Sequence, residues 1–275
     1  MTLAEKERRL HAILQDMGGV VIGFSGGVDS SYLYAVAVEV LGERALGVTA
    51  VSETYPERER REAEALARAL GGRHRRIVSE ELDLPAFTRN PPDRCYHCKR
   101  ELFGRLREVA REEGLPWVAD GTNADDRSDH RPGRRAAREL GVRSPLEEAG
   151  LTKDDIRELS RRRGLPTWDK PAMACLSSRF PYGTPITRPE VARVGRAEEG
   201  LRGLGLRVLR VRHHGDVARI EVGPDEFPRV VGDLRDEVVR IVKDAGYAYV
   251  ALDLQGYRPG ALNEVLPPEI REGSP

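Results

Sequence analysis

Through the first two thirds of the chain, short apolar runs alternate with segments whose apolar residues recur every three or four positions. The runs at 19–24, 46–51, 74–78 and 116–120 read as strands, and 29–41, 57–70, 96–113 and 132–140 read as helices. Residues 1–17 form an amphipathic pattern with Leu3, Leu10, Ile13 and Leu14 inward. Strands alternating with helices predict an α/β fold, a parallel sheet with helices on both faces. Ligands in such sheets bind beyond the carboxyl ends of the strands. Thr152-Lys153-Asp154-Asp155-Ile156 reads as a capped helix start with an acidic first turn, and the helix is expected to end near Gly164.

Five prolines then fall between 165 and 189, too many for a regular element. Long irregular segments in compact proteins are usually functional or disordered, and Trp168, Met173, Cys175, Phe180 and Tyr182 are poor material for disorder. An ordered active-site segment is expected here. Beyond it the pattern changes to a helix at 189–204, strands at 206–212 and 217–222, a helix at 233–245 and a strand at 247–252. This predicts a second, smaller α/β domain, dividing the chain into 1–187 and 188–275.

Composition narrows the picture. The chain has 275 residues, 39% of them hydrophobic, with no run of eighteen apolar residues. No signal-peptide pattern is visible, so a cytoplasmic chain outside any membrane is expected. Lys plus Arg and Asp plus Glu both number 45, and this balance argues against a large nucleic-acid footprint. Three cysteines are an odd number and make a structural disulfide framework a poor reading.

The densest chemistry is Ser25-Gly26-Gly27-Val28-Asp29-Ser30, directly between an apolar strand and a helix. The glycines are expected to supply positive φ for a phosphate-cradling turn. The helix N–H groups and dipole then face the anion. Ser25 and Ser30 suit phosphate oxygens, and Asp29 suits Mg²⁺. No Gly-Lys-Ser/Thr follows, so this is not a Walker A loop. A second polar strand end, Asp120-Gly121-Thr122-Asn123-Ala124-Asp125-Asp126, is expected in the same crevice, with Thr122 and Asn123 contacting nucleotide.

The cysteines admit several readings. Cys95 and Cys98 form a Cys-x-x-Cys pair, and Cys175 lies in the proline-rich segment. A thioredoxin-like redox pair would leave Cys175 unused. A zinc site would need His97 or His130 as a fourth ligand, and His97 sits awkwardly between the two cysteines. A [4Fe–4S] cluster held by three thiolates uses all three and leaves one iron open. Three independent buried cysteines are the bland alternative.

SGGVDS at 25–30, DGTNADD at 120–126, RSPLEEAGLTKDDIRELSRRRGLPTWDKPAMACLSSRFPYGTPIT at 143–187 and LRVRHHGDVARIEV at 209–222 together resemble the LarE family. The hexapeptide resembles the PP-loop of enzymes that cleave ATP between its α and β phosphates. The resemblance spans about 10–265 and implies an ATP-dependent sulfur transferase of nickel-pincer nucleotide cofactor biosynthesis. Such enzymes convert pyridinium-3,5-biscarboxylic acid mononucleotide to its thiocarboxylic form. Each carboxylate becomes an acyl-adenylate with release of pyrophosphate, and sulfur displaces AMP.

Some members sacrifice the cysteine matching Cys175 and are left with dehydroalanine. Others carry the extra Cys-x-x-Cys and resemble cluster enzymes with a labile sulfide. With Cys95 and Cys98 this chain resembles the second group, which implies that Cys95, Cys98 and Cys175 hold the cluster and that Cys175 survives turnover.

The resemblance further implies ATP and Mg²⁺ at Ser25, Gly26, Gly27, Asp29 and Ser30, and substrate phosphate at Arg210 and Arg212. Arg179 is expected on AMP phosphate or substrate carboxylate, and Glu198 or Glu199 assists. Trp168 and Tyr96 are expected to pack. Residues 1–187 would be the ATP pyrophosphatase domain and 188–275 a substrate-binding and oligomerisation domain of a homo-oligomer. A tRNA thiolase, an ammonia-dependent amide ligase and a nucleotide-binding regulatory module with structural zinc are the competing functions.

Overall fold

A computed structural model describes residues 1–128, 132–171 and 174–271. In chain order its helices are α1 (Leu3–Met17), α2 (Val28–Leu41), α3 (Glu57–Ala69), α4 (Pro85–Thr88), α5 (Arg94–Glu112), α6 (Pro132–Glu139), α7 (Pro145–Glu148), α8 (Lys153–Arg162), α9 (Arg188–Gly203), α10 (Phe227–Val231), α11 (Arg235–Asp244) and α12 (Pro268–Arg271). The strands are β1 (Val20–Gly23), β2 (Ala45–Val51), β3 (Arg73–Val78), β4 (Trp117–Ala119), β5 (Leu209–His214), β6 (Val217–Val222) and β7 (Tyr249–Leu252). Among the described residues no helix is long and apolar enough to cross a membrane.

The described residues pack as two compact units, 1–81 with the described part of 93–171, and 82–92 with 174–271. In the first, all strand pairs are parallel in the order β3-β2-β1-β4. Alternation along β1 sends Val20 and Ile22 into one apolar layer with residues of α1, α2 and α8, and Val21 into another with residues of α5 and α6. The expected sheet with helices on both faces is present. Its cores are what hold the carboxyl ends of β1 and β4 side by side, through Ile22 opposite Ala119.

In the second unit β5 and β6 are antiparallel and β7 adds parallel to β6. Val191, Val194, Ala197 and Leu201 are the buried face of α9. A Cβ on Gly200 would lie 2.5 Å from Ile241 of α11, so glycine lets those helices approach. β5 begins at Leu209 rather than 206, because the Glu226 carboxylate takes the amides of Arg207 (2.5 Å) and Val208 (3.1 Å) out of the ladder. By packing, the second unit takes in the chain from Ala174 onward, ahead of the change of pattern near 187. The reason is polar: residues 174–179 are bonded to α9 and β5.

Candidate active site

β1 leads through Phe24 into the loop Ser25-Gly26-Gly27 and then α2. Gly26 has φ +66°, and a Cβ there would sit 2.8 Å from the Ala63 Cβ of α3. Both conformation and space demand glycine. Gly27 departs from expectation: at φ −81°, ψ 170° it is extended backbone at the N-cap of α2, open to any residue. The Ser25 and Ser30 hydroxyls lie 3.0 Å apart, and the Ser30 hydroxyl accepts from the Ser25 amide at 3.3 Å. They meet at the first turn of α2, where unpaired N–H groups and the helix dipole favour an anion.

Neighbouring strands brace this turn. Thr49 of β2 donates to the Phe24 carbonyl at 2.7 Å, and the Tyr55 hydroxyl donates to the Ser25 carbonyl. Burial pushes the Tyr55 phenol up, so it stays protonated as a donor. Lys170, from the proline-rich segment, donates to the Gly26 carbonyl at 3.2 Å and pairs with Glu59 (2.6 Å) and Glu62 (2.9 Å) of α3.

Asp29 lies in the first turn of α2. Its carboxylate accepts from Lys153 Nζ at 2.5 Å and from Asn123 Nδ2 at 3.4 Å. Asn123 arrives on the loop after β4, as expected for the shared crevice, and Gly121 lies against α2 closely enough that a Cβ would be 3.0 Å from the Ser30 amide. Thr122 is turned elsewhere: its amide (3.1 Å) and hydroxyl (2.9 Å) both donate to Asp120. A carboxylate offers about four lone-pair directions, so Asp29 keeps acceptors for Mg²⁺. That fits an ion that takes one or two carboxylates plus substrate phosphates.

Lys153 is a residue that sequence reading missed. Thr152 was read correctly as the cap of α8, and a lysine at the first helical position opposes the helix dipole. That misplaced charge was the available signal.

Cys95 and Cys98 are the second and fifth residues of α5, three apart and therefore on one helix face. Cys95 is exposed, Cys98 half-buried, and neither is in a disulfide. Two thiols on one helix face are a soft-metal donor pair, and among the described residues no group of three or more His, Cys, Asp or Glu side chains is assembled around a metal position. Between them, Tyr96 packs as expected, its hydroxyl donating to Glu139 of α6 at 2.7 Å beneath the Arg135 guanidinium. His97 stands 3.7 Å from Asp93. His130 and Met173 lie outside the described residues. Trp168 is 42% exposed, which differs from the packing expected of it.

In the second unit, half-buried Cys175 precedes a 3₁₀ turn at Leu176–Arg179. Arg179 is bidentate to Glu198 of α9 at 2.7 and 2.8 Å. Its remaining nitrogen donates to the carbonyls of Ala174 (2.9 Å) and Cys175 (3.1 Å) and to the Ser178 hydroxyl (2.8 Å). Glu198 also accepts from the Val211 amide at 3.0 Å. Burial raises the Glu198 carboxyl, but Arg179 and these bonds more than reverse it, leaving it below the ordinary range. Glu199 shares α9 with Glu198 but takes no part in this pairing.

Arg212 is bidentate to Glu221 at 2.8 and 2.7 Å and donates to the Ser178 carbonyl at 2.8 Å. Arg210 donates to the Leu209 carbonyl at 2.7 Å and lies over the Tyr257 ring. Burial and the nearby charge of Arg179 push its guanidinium down to about 10.

The first unit thus brings together Ser25, Gly26, Gly27, Asp29, Ser30 and Asn123, and the second Cys175, Arg179, Glu198 and Arg212. Comparison with known proteins assigns the family. The chain is 40% identical over 269 residues to the pyridinium-3,5-bisthiocarboxylic acid mononucleotide synthase of Lactiplantibacillus plantarum, covering 96% of each chain. The chain belongs to the LarE family.

An uncharacterised protein of Synechocystis is 44% identical over 96% of this chain and 99% of its own length. Another, of Methanocaldococcus jannaschii, is 27% identical over 87% of this chain and 90% of its own. The NAD synthase family also matches residues 5–97. That stretch holds β1, the glycine loop, α2 and Asp29, the part that members of the LarE family share with other PP-loop enzymes. The residues that carry Lys153, Cys175 and Arg179 fall outside it.

Proposed function

We propose that this protein is an ATP-dependent sulfur transferase making pyridinium-3,5-bisthiocarboxylic acid mononucleotide from the corresponding biscarboxylic acid. The observation that carries the reading is the near full-length identity to the L. plantarum synthase. A carboxylate is a poor electrophile, and adenylation turns one of its oxygens into a leaving group. ATP phosphates would lie on the turn at Ser25, Gly26, Gly27 and Ser30. Asp29 with Mg²⁺, and Lys153, would meet the charge that develops on pyrophosphate as substrate carboxylate attacks the α-phosphorus. A sulfur nucleophile then adds to the acyl carbon and AMP leaves.

Cys95, Cys98 and Cys175 would hold a [4Fe–4S] cluster, which when bound supplies sulfide and spares Cys175. Arg210 of β5 would be a ligand for substrate phosphate. Thr122 and Asn123 would act on nucleotide through the order they give the loop after β4 and through Asp29. The protein would work in the cytoplasm as a homo-oligomer, which light scattering would read directly.

The test supplies ATP, Mg²⁺ and the biscarboxylic mononucleotide to anaerobically reconstituted protein and follows pyrophosphate, AMP and product mass. Thiocarboxylate formation with intact Cys175 is expected. Stoichiometric dehydroalanine at 175 would make Cys175 the donor. Pyrophosphate release driven by ammonia, with an amide product and no need for cysteine, would favour the amide ligase instead.

A further inference from the structure

Arg179 and Glu198 were expected to touch nucleotide or substrate, but both are sealed in the protein. Arg179 is 2% exposed and Glu198 3%. Every guanidinium nitrogen of Arg179 has a protein partner: Nε and Nη2 on Glu198, Nη1 on the turn that carries Cys175. Glu198 has both oxygens occupied by Arg179, and one of them also takes the Val211 amide of β5. Charge-assisted bidentate pairs are the strongest and most directional of such bonds. A continuous path therefore runs from a strand amide, through two buried charges, to the carbonyl of Cys175.

We propose that Arg179 and Glu198 are positioning residues that act as one unit to hold the Cys175 thiol in its half-buried orientation. This rests on reading Cys175 as a participant in sulfur transfer. A buried ion pair is weak grounds for stability, because desolvation offsets the attraction, whereas fixing one geometry is a use such pairs can serve. Here the fixed object is the backbone of a short 3₁₀ turn, which alone has few bonds of its own. Arg212, on the Ser178 carbonyl and Glu221, pins the far end of the same turn.

The readout is Cys175 chemistry apart from turnover. In a Cys95→Ser/Cys98→Ser background Cys175 is the one remaining thiol. Iodoacetamide labelling rate and amide hydrogen exchange over 174–180 would be measured for Arg179→Lys, Glu198→Gln and the double variant, with circular dichroism to confirm folding. Lysine keeps the charge but cannot reach the carboxylate and both carbonyls together.

Each single variant should speed labelling on the order of tenfold, the loss expected for a buried charged hydrogen bond, and should raise exchange locally. The double variant should add little more. Unchanged or slower labelling in folded variants overturns the proposal, as do additive effects. Should these variants not fold, Ser178→Ala decides: it removes one Nη1 partner and leaves both charges, and an unchanged rate there also overturns it. Failure of this test leaves thiocarboxylate formation to be judged independently, since labelling needs neither ATP nor substrate.

Discussion

Gly26 and Gly27 stand side by side in the sequence and do different work. Ala63 occupies the space where a Gly26 side chain would go, and the positive φ of Gly26 adds strain for any other residue. Gly26→Ala should cost roughly 2–4 kcal/mol in denaturant unfolding and abolish ATP binding in calorimetry. Gly27→Ala, in extended backbone with only Ser25 Oγ at 3.4 Å from the new Cβ, should change stability by no more than about 1 kcal/mol.

Lys153 makes a second prediction at this scale. Its ammonium pairs with Asp29 of α2, beside a glycine loop that lacks the lysine of a Walker motif. Lys153→Met should weaken Mg²⁺-ATP binding at least about tenfold, as expected for losing a charged hydrogen bond. An unchanged dissociation constant in calorimetry would remove Lys153 from the site.

Helix α8 delivers Lys153, and its start is held by a reciprocal cap. The Asp155 amide donates to Thr152 Oγ1 at 3.2 Å, and the Thr152 amide donates to Asp155 Oδ2 at 3.0 Å. Lys6 of α1 pairs with the same carboxylate. Burial raises Asp155, but Lys6 and Thr152 outweigh it, so its folded pKa lies below the ordinary value. Its stabilisation is therefore present above the unfolded pKa, about 3.9, and is lost as pH falls through the lower folded one. Urea unfolding should show Asp155→Asn destabilised at neutral pH, with the gap to the parent closing below about pH 4. A gap that widens on acidification would contradict this.

At the same scale, the sheet of the first unit was legible because its central strands β1 and β2 are buried on both faces and its strands are bounded by glycine and polar turns. The start of β5 was not, since Glu226 captures the amides of 207 and 208 from a distant part of the chain. The loop motif was visible in local sequence, whereas Lys153 and Lys170 reach it only through the fold.

The division of the whole molecule follows buried charge more than sequence texture. Residues 82–92 join the second unit through Asn90, whose side-chain amide donates to the carbonyls of Pro181 (2.7 Å) and Thr184 (3.0 Å). No local pattern announces that excursion; a non-glycine φ of +56° at Asn90 is its one conformational mark. The change of hydrophobic pattern near 187 likewise hides that Arg179 is the partner of Glu198. A fragment 188–275 would keep Glu198 among apolar neighbours and lose Arg179, the strongest of the groups that offset burial, leaving only the Val211 amide and the charge of Arg210 to hold the carboxyl down. Breaking a buried pair costs roughly 3–5 kcal/mol, comparable to the whole stability of a small domain.

Fragment 188–275 should therefore lack the chemical-shift dispersion and cooperative thermal transition of a folded domain. A fragment 174–275, which restores Arg179 and Ser178 to their partners, should recover part of both. Linking 82–92 to it should recover more, because the carbonyls of 181 and 184 regain the Asn90 amide. Cooperative unfolding of 188–275 by itself would show that the Cys175 turn is an attachment to that unit and no part of its core.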